Sequence, residues 1–232
     1  MRAILLLLLL LLFFACTDVR SRQQTRESEV LHFSSSLSEA GEAFADSKRL
    51  LEKLCHQHGL VCSLAAYPSG RAIKMLQDGE TAGELPRFEE FQNMAPTAIR
   101  VPTALGQLSF SVLTHDKTLI VKSLNDLSRH KVFYVRGNAA IAAHKEVEQL
   151  IAVNSEQDCA NMVLRKLGDA CIMTKSMARK VLEDYHQAAE SYFLQDLFMK
   201  PVYLYLSPRY KYLQDIFDQS LKHLRPEEKI AQ

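Results

Sequence analysis

The chain has 232 residues, 47% hydrophobic and 24% charged, enough for one domain or for two small lobes of ~100 residues each. Its 28 basic and 27 acidic residues leave a formal charge of +1, and with Arg2 set aside in an N-terminal leader the balance is 27 against 27. No polybasic tract exists, which excludes an electrostatic nucleic-acid binder, and no HExxH, paired-cysteine zinc pattern, GxSxG or phosphate-loop motif marks a cofactor or metal enzyme. His56 and His58 are two apart and point to different sides of a helix, so they make no metal pair.

Residues 1–16, MRAILLLLLLLLFFAC, join an early Arg2 to an eleven-residue apolar run from Ile4 to Phe14. That run is too short to span a bilayer and suits the core of an export signal. Phe13-Phe14-Ala15-Cys16 resembles the lipobox of bacterial lipoproteins, in which the cysteine is acylated. Lipidation at Cys16 and ordinary signal cleavage both remain open, and residues 17–28 read as a polar tether. Export to an oxidising periplasm changes how the other cysteines read. Cys55 closes a helix and Cys62 opens the next strand, within reach of a disulfide. Cys159 and Cys171 lie about a helix length apart and read as two buried thiols.

In chain order, Glu29 to Ser34 is a candidate strand, and Ala43, Phe44, Leu50, Leu51 and Leu54 form one stripe of a helix that stops at Gly59. Leu60 to Ala66 reads as a buried strand broken by Tyr67-Pro68-Ser69-Gly70. Ala72, Ile73, Met75 and Leu76 line a second helix ended by Gly79. Phe88 to Pro102 is loop-like, and Gln107 to Val112 is a strand. From about Leu119 the same grammar returns. Lys131 to Val135 is a strand, and Arg136-Gly137-Asn138 opens a helix running through Ile141 to Val147. Leu150 to Val153 is another strand, and Ser155 with Asp158 caps a helix that turns Ala160, Val163, Leu164 and Leu167 inward. Asp169 to Met173 is a strand before a helix carrying Met177, Val181 and Leu182. Pro201 to Leu206 is a strand, Ser207-Pro208 starts the last helix, and Leu213, Ile216, Phe217, Leu221 and Leu224 make its apolar stripe. Alternating strands and helices imply an α/β fold with parallel strands covered by helices. Tyr203, Tyr205, Tyr210 and Tyr212 read mainly as packing, and Arg225 to Lys229 as a solvated tail.

The words GLVC, PSGRAIKMLQDGE and GELPR, within Ser47 to Arg87, resemble the first lobe of bacterial periplasmic solute-binding proteins of the polar-amino-acid type. The match in order and spacing covers about forty residues and extends more loosely from Glu29 to the C-terminus. The resemblance implies a two-lobed, type II binding-protein fold with a discontinuous first lobe, 29–105 plus 202–232. The second lobe would be 106–201, with a hinge of two crossing segments and the last helix on the first lobe. It implies a monomeric, non-enzymatic protein that closes over a small solute and serves an inner-membrane transporter or sensor. The only membrane contact would be the lipid anchor. Two rivals stay open: a degenerate sensory or assembly domain, and a dehydratase-like enzyme for which Glu84 is the acidic candidate.

By the same resemblance Arg87 grips a ligand carboxylate and Arg71 follows the family's turn. A strand-to-helix junction adds Arg136 with the backbone N–H groups of Gly137 and Asn138. The chain departs from the family in several places. Phe33 is followed by Ser34-Ser35-Ser36, Ser69 stands where an aromatic residue is usual, and the glycine-aspartate turn reads Thr81-Ala82-Gly83. There is no tryptophan. The acidic position that binds an amino group falls near Thr174. Two arginines with no acid opposite favour a small anion.

Overall fold

A computed structural model describes residues 30–184 and 192–231. The leader, Cys16 and the 17–28 tether lie outside the described residues. The first half contains β1 (Val30–Ser35), α1 (Glu42–Gln57), β2 (Val61–Ala66), α2 (Ser69–Asp78), β3 (Gly83–Arg87), α3 (Phe91–Met94), β4 (Ile99–Arg100) and β5 (Gly106–Thr114). It is followed by β6 (Lys131–Val135), α4 (Ala139–Ala142), β7 (Gln149–Val153), α5 (Glu156–Leu164), β8 (Ala170–Thr174) and α6 (Lys175–Asp184). The chain closes with β9 (Phe193–Leu206), α7 (Leu213–His223) and β10 (Ile230–Ala231). No helix among the described residues is long and apolar enough to cross a membrane.

Strands β2, β1 and β3 run parallel, as do β7, β6 and β8. Between these two sets lie β9 and β5, paired antiparallel, so the order is β2-β1-β3-β9-β5-β8-β6-β7. The hydrogen-bonded path is therefore unbroken. It is the length of β9 that joins the sets: Phe193 to Val202 pair with β5, while Tyr203 to Leu206 pair with β3 and β4. The cores remain separate, and two lobes result.

In the first lobe the stripes of α1 and α7 bury Leu50, Leu51, Leu54, Leu213, Phe217 and Leu221 with Phe33, Leu85 and Leu204. The last helix thus packs where the sequence placed it. Across the sheet, α2 and α3 bury Leu76 and Phe91 with Tyr205. The second lobe packs Val132, Ile141 and Ile172 on one face, and Phe133, Cys159, Val163, Cys171 and Val181 on the other. Helices α1 and α2 end as read, with Gly59 and Gly79 in the left-handed region at φ 65° and 74°.

Several expectations change. β2 is an edge strand, not a buried one, because only β1 pairs with it; Val61 is 44% exposed and Leu64 alone is buried. The stretch 88–102 holds α3 and β4. The helix after Asn138 is a single turn. Helix α5 ends at Leu164, so Leu167 is 50% exposed. Cys55 and Cys62 form the expected disulfide. Cys159 and Cys171 form a second one, with Cα atoms 5.7 Å apart. The two-thiol reading fails because α5 is only nine residues long and the chain doubles back through five residues, laying β8 along the helix it has just left.

β10 pairs with the start of β5, and its carbonyl at Ile230 comes so close that a Cβ on Gly106 would lie 1.9 Å from it. Gly106→Ala is expected to detach this strand and expose the buried Ile230 side chain, at a cost of roughly 1.5–3 kcal/mol. Urea denaturation measures it, and wild-type stability in the variant would contradict the packing.

Candidate ligand-binding cleft

The carboxyl ends of β1, β3, β6 and β8 meet at one crevice between the lobes, the place where open α/β sheets bind ligands. Its inner chamber is about 70 Å³. It widens into an outer chamber of about 670 Å³ that also takes in Tyr67, Ser69 and Asn154. The first lobe contributes Ser36, Leu37, Arg87 and Phe88, and the second Arg136, Gly137, Asn138, Glu156 and Thr174. The lobes touch across it. Gly137, at φ 89°, lies so close to Ser69 that a Cβ would meet the serine at 2.6 Å. Elsewhere along the crevice Lys180 Nζ donates to the Ala40 carbonyl at 2.8 Å.

Arg87 reaches the crevice, yet its charge is already committed. In a regular strand residues three apart face opposite sides. Here the β3–β9 register shifts between Glu84 and Arg87, a bulge at Leu85-Pro86 that turns both side chains to one side. Arg87 Nε donates to Glu84 Oε1 at 2.8 Å and Nη2 donates to the same oxygen. Nη2 also donates to Ser69 Oγ at 3.1 Å, and the guanidinium lies over the Phe91 ring at 4.6 Å. Glu84 is 0% exposed, and among the described residues its Oε2 has no partner. Burial pushes the Glu84 carboxyl above its ordinary value, and the Arg87 charge and hydrogen bonds pull it back.

Phe91 stacks edge-on to Tyr205 at 4.8 Å. The Tyr205 hydroxyl, pushed up to about 12 chiefly by burial, donates to the carbonyls of Phe88 and Glu89. This fixes the loop that carries the aromatic floor. Tyr205 is therefore support for the crevice rather than lining.

Arg136 is exposed at the crevice, and among the described residues it has no ion-pair or hydrogen-bond partner for its guanidinium. Of the two N–H groups expected to cradle an anion, that of Asn138 is spent on Val135 O. With one helical turn behind them, the dipole contribution is small. The Asn138 Oδ1 is buried without a donor among the described residues.

Glu156, half-buried in the lining and also without a partner among the described residues, escaped the sequence reading. It follows Ser155, whose hydroxyl caps α5 by accepting from Asp158 N at 3.0 Å. Its position just past a parallel strand was the available signal. The crevice therefore holds an acid opposite its arginines, which removes the argument for a purely anionic ligand. Ser36 and Leu37 were also missed as lining. Thr174 lines the crevice as a neutral residue. Arg71 does not enter it; the side chain is exposed and stacks over Tyr67 at 5.0 Å.

No family model matches the sequence, and no curated protein matches it. Solved structures do. The GluR0 ligand-binding core in complex with L-glutamate superposes with a TM-score of 0.69 at 13% identity, covering 85% of this chain and 93% of that one. A histidine kinase sensor domain with similarity to periplasmic binding proteins gives 0.68 at 10% identity, over 86% and 92%. The chain has the periplasmic-binding-protein fold. Holo ArgBP from T. maritima, at 0.63 and 13% identity over 91% and 96%, shares it. The two-lobed α/β expectation drawn from Ser47 to Arg87 holds, and the crevice described above lies between the two lobes of this fold.

Proposed function

We propose that this protein is an exported, non-enzymatic solute-binding domain whose lobes, 29–105 with 202–232 and 106–201, close over a small polar solute. The observation that carries the reading is the set of unpartnered polar groups converging on one crevice. Among the described residues, Arg136 offers an unpaired cation, Glu156 an unpaired carboxylate and Asn138 Oδ1 a buried acceptor without a donor. Buried or half-buried polar groups without partners cost free energy that a matching ligand recovers. Such a ligand carries both an anionic group for Arg136 and an N–H or ammonium donor for Glu156 and Asn138, as amino-acid-like solutes do. The GluR0 core in complex with L-glutamate and the arginine-bound form of ArgBP from T. maritima share this fold, which supports this class. Two disulfides support an oxidising, exported location. An anchor at Cys16 and an inner-membrane transporter or sensor as partner belong to the same proposal.

Calorimetry of the mature chain against amino acids and small organic anions tests it. Arg136→Ala is expected to weaken binding about ten- to a hundredfold, the loss of one charge-assisted contact worth roughly 1.5–3 kcal/mol. Glu156→Gln is expected to weaken amine-bearing solutes and spare simple anions. A mature chain that binds none of these solutes would instead favour a tethered sensory or assembly domain.

A further inference from the structure

We propose that Glu84, which does not line the crevice, sets its charge selectivity by cancelling Arg87, so that the first lobe presents a fixed, nearly neutral donor in place of an anion clamp. The inference rests on reading the crevice as a solute site. Two of the three guanidinium nitrogens are spent on Glu84 Oε1 and Ser69 Oγ, and Phe91 covers one face, which leaves Nη1 as the nitrogen without a hydrogen bond among the described residues. With Glu84 0% and Arg87 5% exposed, the opposite charges sit in contact, and their fields largely cancel at the distance of a ligand. Nothing else nearby does this. Arg71 faces outward over Tyr67, Tyr205 hydrogen-bonds loop carbonyls, Lys200 pairs with Glu90, and Arg100 with Glu89 at 2.6 Å. The pair is also poorly made for a purely structural role, because Glu84 Oε2 is buried with no donor among the described residues. Holding the guanidinium rigid and uncharged in effect leaves Arg136 as the cation that a ligand meets.

Acetate and inorganic phosphate serve as probes in calorimetry and thermal-shift titrations of the mature chain, of Glu84→Gln and of the double variant Glu84→Gln/Arg87→Gln. Glu84→Gln frees the Arg87 charge and is expected to bind the anions roughly tenfold more tightly than wild type, while the double variant returns to the wild-type value. Equal anion affinity in wild type and Glu84→Gln overturns the proposal. Should Glu84→Gln not fold, nitrogen-15 NMR of the wild type decides. The Arg87 Nε resonance, assigned by its loss in the double variant, is expected to exchange slowly and stay unmoved by phosphate; a phosphate-dependent shift overturns the proposal. A chain that binds no amino acid but gains anion affinity in Glu84→Gln would remove the amino-acid-like class of solute while keeping the crevice as a small-anion site and this proposal with it, and amino-acid binding without that gain would remove this proposal alone.

Discussion

Removing both disulfides is expected to lower the melting temperature by roughly 10–20 °C. The bridges close loops with sequence separations of 7 and 12 residues. Restricting such loops in the unfolded chain contributes roughly 2.5 and 3 kcal/mol, and a chain of this size loses about 2–4 °C per kcal/mol. One bridge ties α1 to β2 in the first lobe and the other ties α5 to β8 in the second. The two share no partners, so the double-alanine variants of each pair should give nearly additive losses. Cys55, Cys159 and Cys171 are all at most 1% exposed, so reductant alone should act slowly on the folded protein and rapidly once denaturant opens it. A Cys159→Ala/Cys171→Ala variant that melts with the wild type would show that the second bridge is not formed.

Arg87→Ala is expected to destabilise the fold by about 3–5 kcal/mol near neutral pH, because it strands a buried carboxylate. Arg87 supplies only downward pulls on the Glu84 carboxyl, so its loss lets burial push that group further above its ordinary value. The sign then follows. A carboxyl that titrates higher in the folded state than in the unfolded one binds more protons when folded, so stability falls as pH rises through that interval. The variant's deficit should be greatest above the interval and shrink toward about pH 3, roughly a unit or more below the ordinary glutamate value, where Glu84 is largely protonated in both states. Urea midpoints at neutral and acid pH measure it, and a deficit that does not change with pH would place the cost elsewhere. Replacing both partners, as in Glu84→Gln/Arg87→Met, should restore most of the loss, since buried pairs exchanged for uncharged groups of similar size are often neutral.

Much of the fold was legible because it depends on local periodicity. The stripes of α1 and α7, the glycines after α1 and α2, the Ser155 cap and the strand-helix alternation each rest on residues a few positions apart, where the 3.6-residue and two-residue repeats act directly. The Cys55–Cys62 bridge was legible for the same reason, since one helix end and the next strand start are neighbours by construction. The Cys159–Cys171 bridge was not, because it depends on how sharply the chain returns after Leu164.

The crevice divides along the same line. Arg136, Gly137 and Asn138 in its wall followed from a strand-to-helix junction, and Arg87 and Thr174 from the family resemblance. The charge it presents did not. A two-residue repeat puts Glu84 and Arg87 on opposite faces, and only the bulge at Leu85-Pro86, set by the register of β3 on β9 more than a hundred residues away, brings them together. Glu156 likewise becomes part of the wall only when β6, β7 and β8 align in parallel and the lobes meet at Gly137 and Ser69. By itself the sequence determined most of the helices and strands, because those depend on neighbours along the chain. Which charges a ligand would meet was decided by tertiary structure alone, because charge cancellation depends on contacts between residues that no sequence period relates.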